Sequence, residues 1–285
     1  MTKLEAMSRR MRRRVSETVI EHMQLDTDGL IESAKYATAA SSRWFGTSSR
    51  FSVNAMSNQV AFLRRANRLE EAVVVANSLL EAQRRRRHRR GPMTPTQIEM
   101  SLGIMFTKLG RYEEASRALE DVLASLPTAP RRTNPVRERV NALLWLGDVR
   151  NKLHQRDDAV TAFRDALNLA RDRLGENHEK TIEAKFWLAV GLTKAGEYRA
   201  AIPFYRDAVE GYRRSYGSNP LTTRVLWHFA QGLHMAGEDA EAATVADAAR
   251  RAVALQPGDH QSDLTALAEL QERIEDSLRR GDPDA

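Results

Sequence analysis

An alanine five residues after a turn-forming residue returns five times along this chain of 285 residues. It closes the blocks NRLEEA (67–72), GRYEEA (110–115), HQRDDA (154–159), GEYRAA (196–201) and GEDAEA (237–242), and successive alanines stand 43, 44, 42 and 41 residues apart. A fixed period with a drifting length is the signature of stacked repeats, in which each supersecondary unit buries its apolar face against the next. A second column keeps the same register: Gly91, Gly175, Gly217 and Gly258, with Thr133 in the slot between the first two, each opening a short polar stretch. These read as a helix stop at glycine followed by a Thr, Asn or Asp cap that starts the next helix.

Between the two columns the apolar residues follow helical spacing. Val140, Leu143, Leu144, Gly147 and Val149 precede one turn, and Ala159, Phe163, Ala166, Leu167 and Ala170 follow it. Each unit is therefore expected to be two antiparallel amphipathic helices, with small residues where the pair approaches closely.

These residues resemble the tetratricopeptide repeat. Its pattern asks for a small residue in the first helix, an alanine twelve positions later, a large residue four further on, and then another small one. Gly147, Ala159, Phe163 and Ala166 match, as do Ala189, Ala201, Tyr205 and Ala208. Gly103, Ala115, Leu119 and Pro127 match in an earlier unit, and Ala230, Ala242, Ala246 and Ala249 match more weakly in the last. The usual period of that family is about 34 residues, and the longer one here resembles the kinesin-light-chain subclass, also common in bacterial signalling proteins. The resemblance implies an all-α fold: a right-handed superhelical α-solenoid of antiparallel helix pairs with capping helices at both ends. It covers residues 51–258, divided into pairs at 51–90, 93–130, 134–175, 178–217 and 220–257, as one elongated array.

Residues 1–50 stand outside the pattern. Leu4, Met7, Met11, Val15, Val19 and Met23 form one face of a first expected helix, and a second is expected over 29–44. An N-terminal cap over the first repeat is the leading reading; a dimerising helix that would make a homo-oligomer, or a surface helix for anionic lipid or nucleic acid, are the alternatives. Residues 259–285 read as a C-terminal cap and short tail, with Leu264, Leu267, Leu270, Ile274 and Leu278 on one stripe.

Composition narrows the chemistry. The absence of cysteine removes disulfides, thiolate catalysis and Cys-based zinc sites. No window of 18 apolar residues and no secretory leader is present, so a cytoplasmic protein without membrane insertion is expected. There is no phosphate loop, no dinucleotide-binding glycine pattern, no nucleophile elbow and no paired-histidine zinc helix, so no catalytic residue, metal site or cofactor is expected. His154 falls in the turn column, where a left-handed backbone is expected, and His228 and His234 are six apart on one helix and so not on one stripe.

Charge is unevenly placed. Residues 1–140 carry 25 basic and 15 acidic side chains against 19 and 23 in 141–285, a balance of +10 against −4. An anionic partner should favour the N-terminal half. The sharpest features there are the arginines at 9–14, with Arg12 and Arg13 among them, and the run RRRRHRR: Arg84, Arg85, Arg86, Arg87, Arg89 and Arg90 around His88. Helix-end cations have a structural use against the dipole, and a phosphate-rich partner is the functional alternative.

In the family the first helices line the concave surface. Carrying that register over, the partner-binding positions are Asn58 and Arg65, then Lys108, then Trp145, Asp148 and Lys152, then Phe186, Trp187 and Lys194, and finally Trp227, His228 and Gln231. Arg65, Lys108, Lys152 and Lys194 would form a basic row, with aromatic surface beside it, a combination that suits an extended peptide. The same tryptophans could instead pack between neighbouring helices, and the lysines could serve only the helix dipole. The paired asparagines usual in the kinesin-light-chain subclass are replaced here by Leu144-Trp145, Phe186-Trp187 and Trp227-His228. A non-enzymatic scaffold or regulatory adaptor that binds a protein or peptide is the leading expectation. A nucleic-acid-binding protein using the basic clusters and a peptide-sensing regulator are the alternatives.

Overall fold

The computed structural model describes residues 27–85, 93–126, 133–217, 219–255 and 261–281. Among them are twelve α-helices and no strand. They fall into two compact units, divided between Ser125 and Leu126. The connection between them carries two prolines in its sequence, Pro127 and Pro130. The segments 1–26, 86–92, 127–132, 256–260 and 282–285, with the expected first helix and most of the arginine run, lie outside the described residues.

The first unit comprises α1 (Thr27–Phe45), α2 (Arg50–Arg65), α3 (Leu69–Arg84), α4 (Pro95–Lys108) and α5 (Tyr112–Ser125). The second comprises α6 (Thr133–Lys152), α7 (Arg156–Leu174), α8 (Glu179–Ala195), α9 (Tyr198–Tyr216), α10 (Pro220–Met235), α11 (Asp239–Ala254) and α12 (Gln261–Gly281). Within each unit, each helix packs on the next in sequence, and in the second unit α8 also touches α6 and α10.

The turn column has one geometry throughout. Asn67, Gly110, His154, Gly196 and Gly237 all adopt left-handed backbones, with φ of 58°, 75°, 61°, 87° and 82°. The next residue's N–H then reaches back to the carbonyl five residues earlier, from Arg68 to Leu63, Arg111 to Phe106, Gln155 to Arg150, Glu197 to Leu192 and Glu238 to Leu233, each at 2.9 Å. This closure satisfies a carbonyl that the helix end would otherwise leave bare. Four residues on, Ala72, Ala115, Ala159, Ala201 and Ala242 are fully buried. The alanine recurs because only a methyl group fits where the two helices meet.

His154 is exposed and holds its left-handed φ without the freedom of glycine. The Cβ clash costs an L-residue about 1–2 kcal/mol there, and glycine's larger unfolded-state entropy returns about half of the gain. His154→Gly should therefore raise stability by about 0.5 kcal/mol and His154→Val should lower it. A urea midpoint that falls in the glycine variant would refute this account of the turn.

The other column is built from glycine carbonyls and side-chain caps. Thr181 Oγ1 donates to the Gly175 carbonyl at 2.7 Å and Thr222 Oγ1 to that of Gly217 at 2.8 Å. Ser52 Oγ makes the same bond to Gly46 at 2.7 Å, so this joint occurs once before the repeats that the sequence register marked. Ser49, Thr94, His178 and Asn219 cap the helices that follow, and Thr94 with Gln97 forms a reciprocal capping box.

Small residues face large ones across each pair. A Cβ at Gly103 would lie 2.8 Å from Leu119, and one at Gly147 would lie 2.4 Å from the Phe163 ring. Gly191 on the next helix closes on the same ring, and Gly232 closes on Tyr205. At the C-terminal end Leu267, Leu270 and Ile274 of α12 are buried, whereas Leu278, expected on the same stripe, is 40% exposed. Ser277 Oγ donates to Asp239 Oδ2 at 2.6 Å and pins the end of α12 to α11.

Candidate functional site

In the second unit the expected partner-binding side chains come from three first helices, α6, α8 and α10. Trp145, Asp148, Trp187, Trp227, His228 and Gln231 are half-buried, and Lys152 and Lys194 are exposed. Phe186 is a correction to the sequence reading: at 1% exposure it is core. Its ring lies 5.4 Å from Trp187, 6.4 Å from Tyr205, 6.3 Å from Tyr212 and 5.4 Å from His228, so it is the hub on which the surface aromatics rest. Trp187 also stacks on Phe163 at 6.1 Å and 17°. Trp187 is thus packed against two core rings while remaining only half-buried.

The electrostatics follow from that packing. Burial pushes the Asp148 carboxyl above its ordinary range, and the ammonium groups of Lys152 and Lys194 act against the shift. Burial, with Arg224 and Lys194 nearby, pushes His228 from 6.5 down to about 4, so at neutral pH the ring is uncharged. Trp227 stands edge-on to that imidazole at 4.7 Å. Lys194 therefore acts on both Asp148 and His228, which ties α6, α8 and α10 into one electrostatic neighbourhood. Among the described residues neither Lys152 nor Lys194 has an ion-pair partner, and the buried Trp227 Nε1 and both amide atoms of buried Asn151 have no hydrogen-bond partner.

In the first unit the structure brings Arg65 and Lys108 together on a cleft of about 310 Å³ between α2 and α4. Arg64, which the repeat register did not single out, lines it too and donates from Nη1 to Ser101 Oγ at 3.0 Å. Asn58, also on α2, is exposed and does not line this cleft. The basic row is thus two pairs, Arg65 with Lys108 and Lys152 with Lys194, one pair in each unit.

Arg84 Nη2 donates at 2.7 Å to Glu99, whose side chain is only 10% exposed, and so the first residue of the arginine run joins α3 to α4. Arg85 reaches Glu81 at 3.5 Å on the surface, where such a pair contributes little. Arg12, Arg13, Arg86, Arg87, Arg89 and Arg90 lie outside the described residues. Among the described residues no three His, Asp or Glu side chains gather closely enough to hold a metal, and no helix is long and apolar enough to cross a membrane.

The family model described as tetratricopeptide repeat matches residues 138–213, which lie within α6 to α9 and contain the contacts of Phe163 with Gly147 and Gly191. Over these residues the chain is similar to the tetratricopeptide repeat. The solved structures extend the likeness in fold to most of the chain. BtubC (BKLC) from P. vanneervenii is 16% identical, with 83% of this chain and 94% of that one covered at a TM-score of 0.67. A tetratricopeptide repeat protein from Parabacteroides merdae is 16% identical, with 95% and 94% covered at 0.62. A putative kinesin light chain from Podosopora anserina with nearly identical TPR-like repeats is 13% identical, with 73% and 97% covered at 0.58. The fold is that of the TPR-like helical solenoids, and the resemblance to the kinesin-light-chain type of repeat holds. No curated protein matches the sequence significantly.

Proposed function

We propose that this tetratricopeptide-repeat protein is a non-enzymatic adaptor of the cytoplasm that holds a peptide segment of a partner protein on the face formed by α6, α8 and α10. The observation that carries the reading is the unfilled bonding capacity of that face. Asp148 is partly desolvated beside two lysines that lack ion-pair partners among the described residues. Groups already stripped of water lose little more on binding and gain a full hydrogen bond, so they favour a ligand that brings donors and acceptors to them.

A peptide suits this face chemically. A carboxylate matches Lys152 or Lys194, and a basic side chain or amide matches Asp148. The half-open indoles of Trp145 and Trp187 provide rigid apolar area at low entropic cost. The helices beneath them are packed on buried Phe163 and Phe186, which supports recognition by a preformed surface.

Charge reversal tests it. The double variant Lys152→Glu, Lys194→Glu should weaken capture of a specific partner from the native host by about tenfold or more, with the helical circular dichroism unchanged. Capture that survives the double substitution would sink the reading. A partner that disappears on nuclease treatment would favour nucleic-acid binding instead.

A further inference from the structure

We infer that the cleft between α2 and α4 is a second binding site, and that it takes a phosphomonoester carried on a short aliphatic group. The cleft is half-open and offers about 310 Å³, at the small end of the range for ligand pockets, and so accepts something the size of one modified side chain. Its charged lining is Arg64, Arg65 and Lys108, with no carboxylate among the lining residues. Its apolar lining is Ala61, Leu69, Ile104 and Met105.

Several other cations of the first unit are already paired with carboxylates. Elsewhere in the first unit Arg68 is bound to Glu71, Arg111 to Glu114 and Glu70, and Arg84 to Glu99. In the cleft Arg64 gives one donor to a neutral hydroxyl, and neither Arg65 nor Lys108 has an ion-pair partner among the described residues. Compensation of the helix dipole explains a cation at the end of α2 and another at the end of α4. It does not explain three converging on one recess from which acidic side chains are missing.

The charge of the ligand follows from that count. A carboxylate brings one negative charge and two acceptor oxygens, and a phosphodiester brings one charge. A phosphomonoester brings about −1.5 to −2 at neutral pH and three acceptors, a better match to two guanidinium groups and one ammonium. The apolar lining then covers the methylene that carries the phosphate. The first unit is also part of the strongly basic half of the chain, which favours the approach of any anion. This site uses none of the residues of the α6, α8 and α10 face, so either one can fail alone.

Titration calorimetry on the full chain at pH 7.5 decides it, with four probes: a capped tripeptide with a central phosphoserine, the same peptide with glutamate, inorganic phosphate, and a single-stranded oligonucleotide. The phosphoserine peptide should bind at least about tenfold more tightly than the other three. It should also weaken at pH 5, below the second phosphate pKa of about 6. Arg65→Gln and Lys108→Gln should each cost about tenfold, and Arg50→Gln, an equal change of charge on the exposed start of α2, should cost nothing measurable. Equal binding of the glutamate peptide would overturn the assignment of charge, and equal binding of inorganic phosphate would overturn the role of the apolar lining. Affinity unchanged in both Arg65→Gln and Lys108→Gln, or tighter binding of the oligonucleotide, would overturn the site.

Discussion

Phe163→Ala should cost the second unit about 4 kcal/mol, the upper-middle range for a large buried aromatic. The ring is fully buried. It lies between two glycines on different helices: a Cβ would come within 2.4 Å of it at Gly147 and within 2.7 Å at Gly191. One side chain from α7 therefore holds α6 and α8 together and supports the Trp187 indole stacked on it. The converse change is as informative, since Gly147→Ala drives a methyl group into a ring that cannot move away from it without meeting Gly191. Overpacking of this kind costs about 1–3 kcal/mol, a large share of the 5–15 kcal/mol that stabilises a typical domain. Urea unfolding followed by tryptophan fluorescence measures both losses. Losses below about 1 kcal/mol in both variants would mean that the glycine-aromatic clasp does not hold the repeats.

Stability should also fall in acid through His228. Its folded pKa of about 4 lies below the ordinary 6.5, because the ring is buried against Phe186 and Trp227 with Arg224 and Lys194 close by. Between these two values the unfolded chain binds a proton that the folded chain refuses, so the unfolded state gains as pH falls. The contribution is complete above about pH 6.5 and is lost progressively down to about pH 4, up to roughly 3 kcal/mol at 1.36 kcal/mol per pKa unit. Asp148 acts in the opposite sense: its raised pKa penalises the ionised form, so its contribution is lost as pH rises through the folded value. The comparison that isolates the imidazole is the slope of melting temperature against pH for the native protein and for His228→Gln. Removing the imidazole should flatten the slope between pH 6.5 and 4. Parallel curves would show that His228 is not held neutral by its surroundings.

How far the candidate site could be read in advance depended on the kind of feature. His154 was legible because the turn column demanded a left-handed residue, and the backbone there is φ 61°. Phe186 was not: it shares a helical register with surface positions, and only the approach of Tyr205, Tyr212 and His228 from other elements makes it core. Arg64 escaped for a similar reason, since helical spacing assigned Arg65 to the row and gave no sign that its neighbour would turn into the same recess. Gly46 carried the same signal as Gly175 and Gly217, a glycine with a Ser or Thr five or six residues on, and could have been found from that spacing.

The sequence by itself determined the repeat: where helices turn, and where small residues let a helix pair approach closely. These are local requirements of backbone conformation and close packing, and they recur wherever the same contact recurs. The tertiary structure alone decided the division between Ser125 and Leu126. It also decided that Asp148 is desolvated among lysines and that three cations share one cleft. Those properties arise from side chains about forty residues apart in the chain, and burial and electrostatic neighbourhood come into being only when separate helices are brought together.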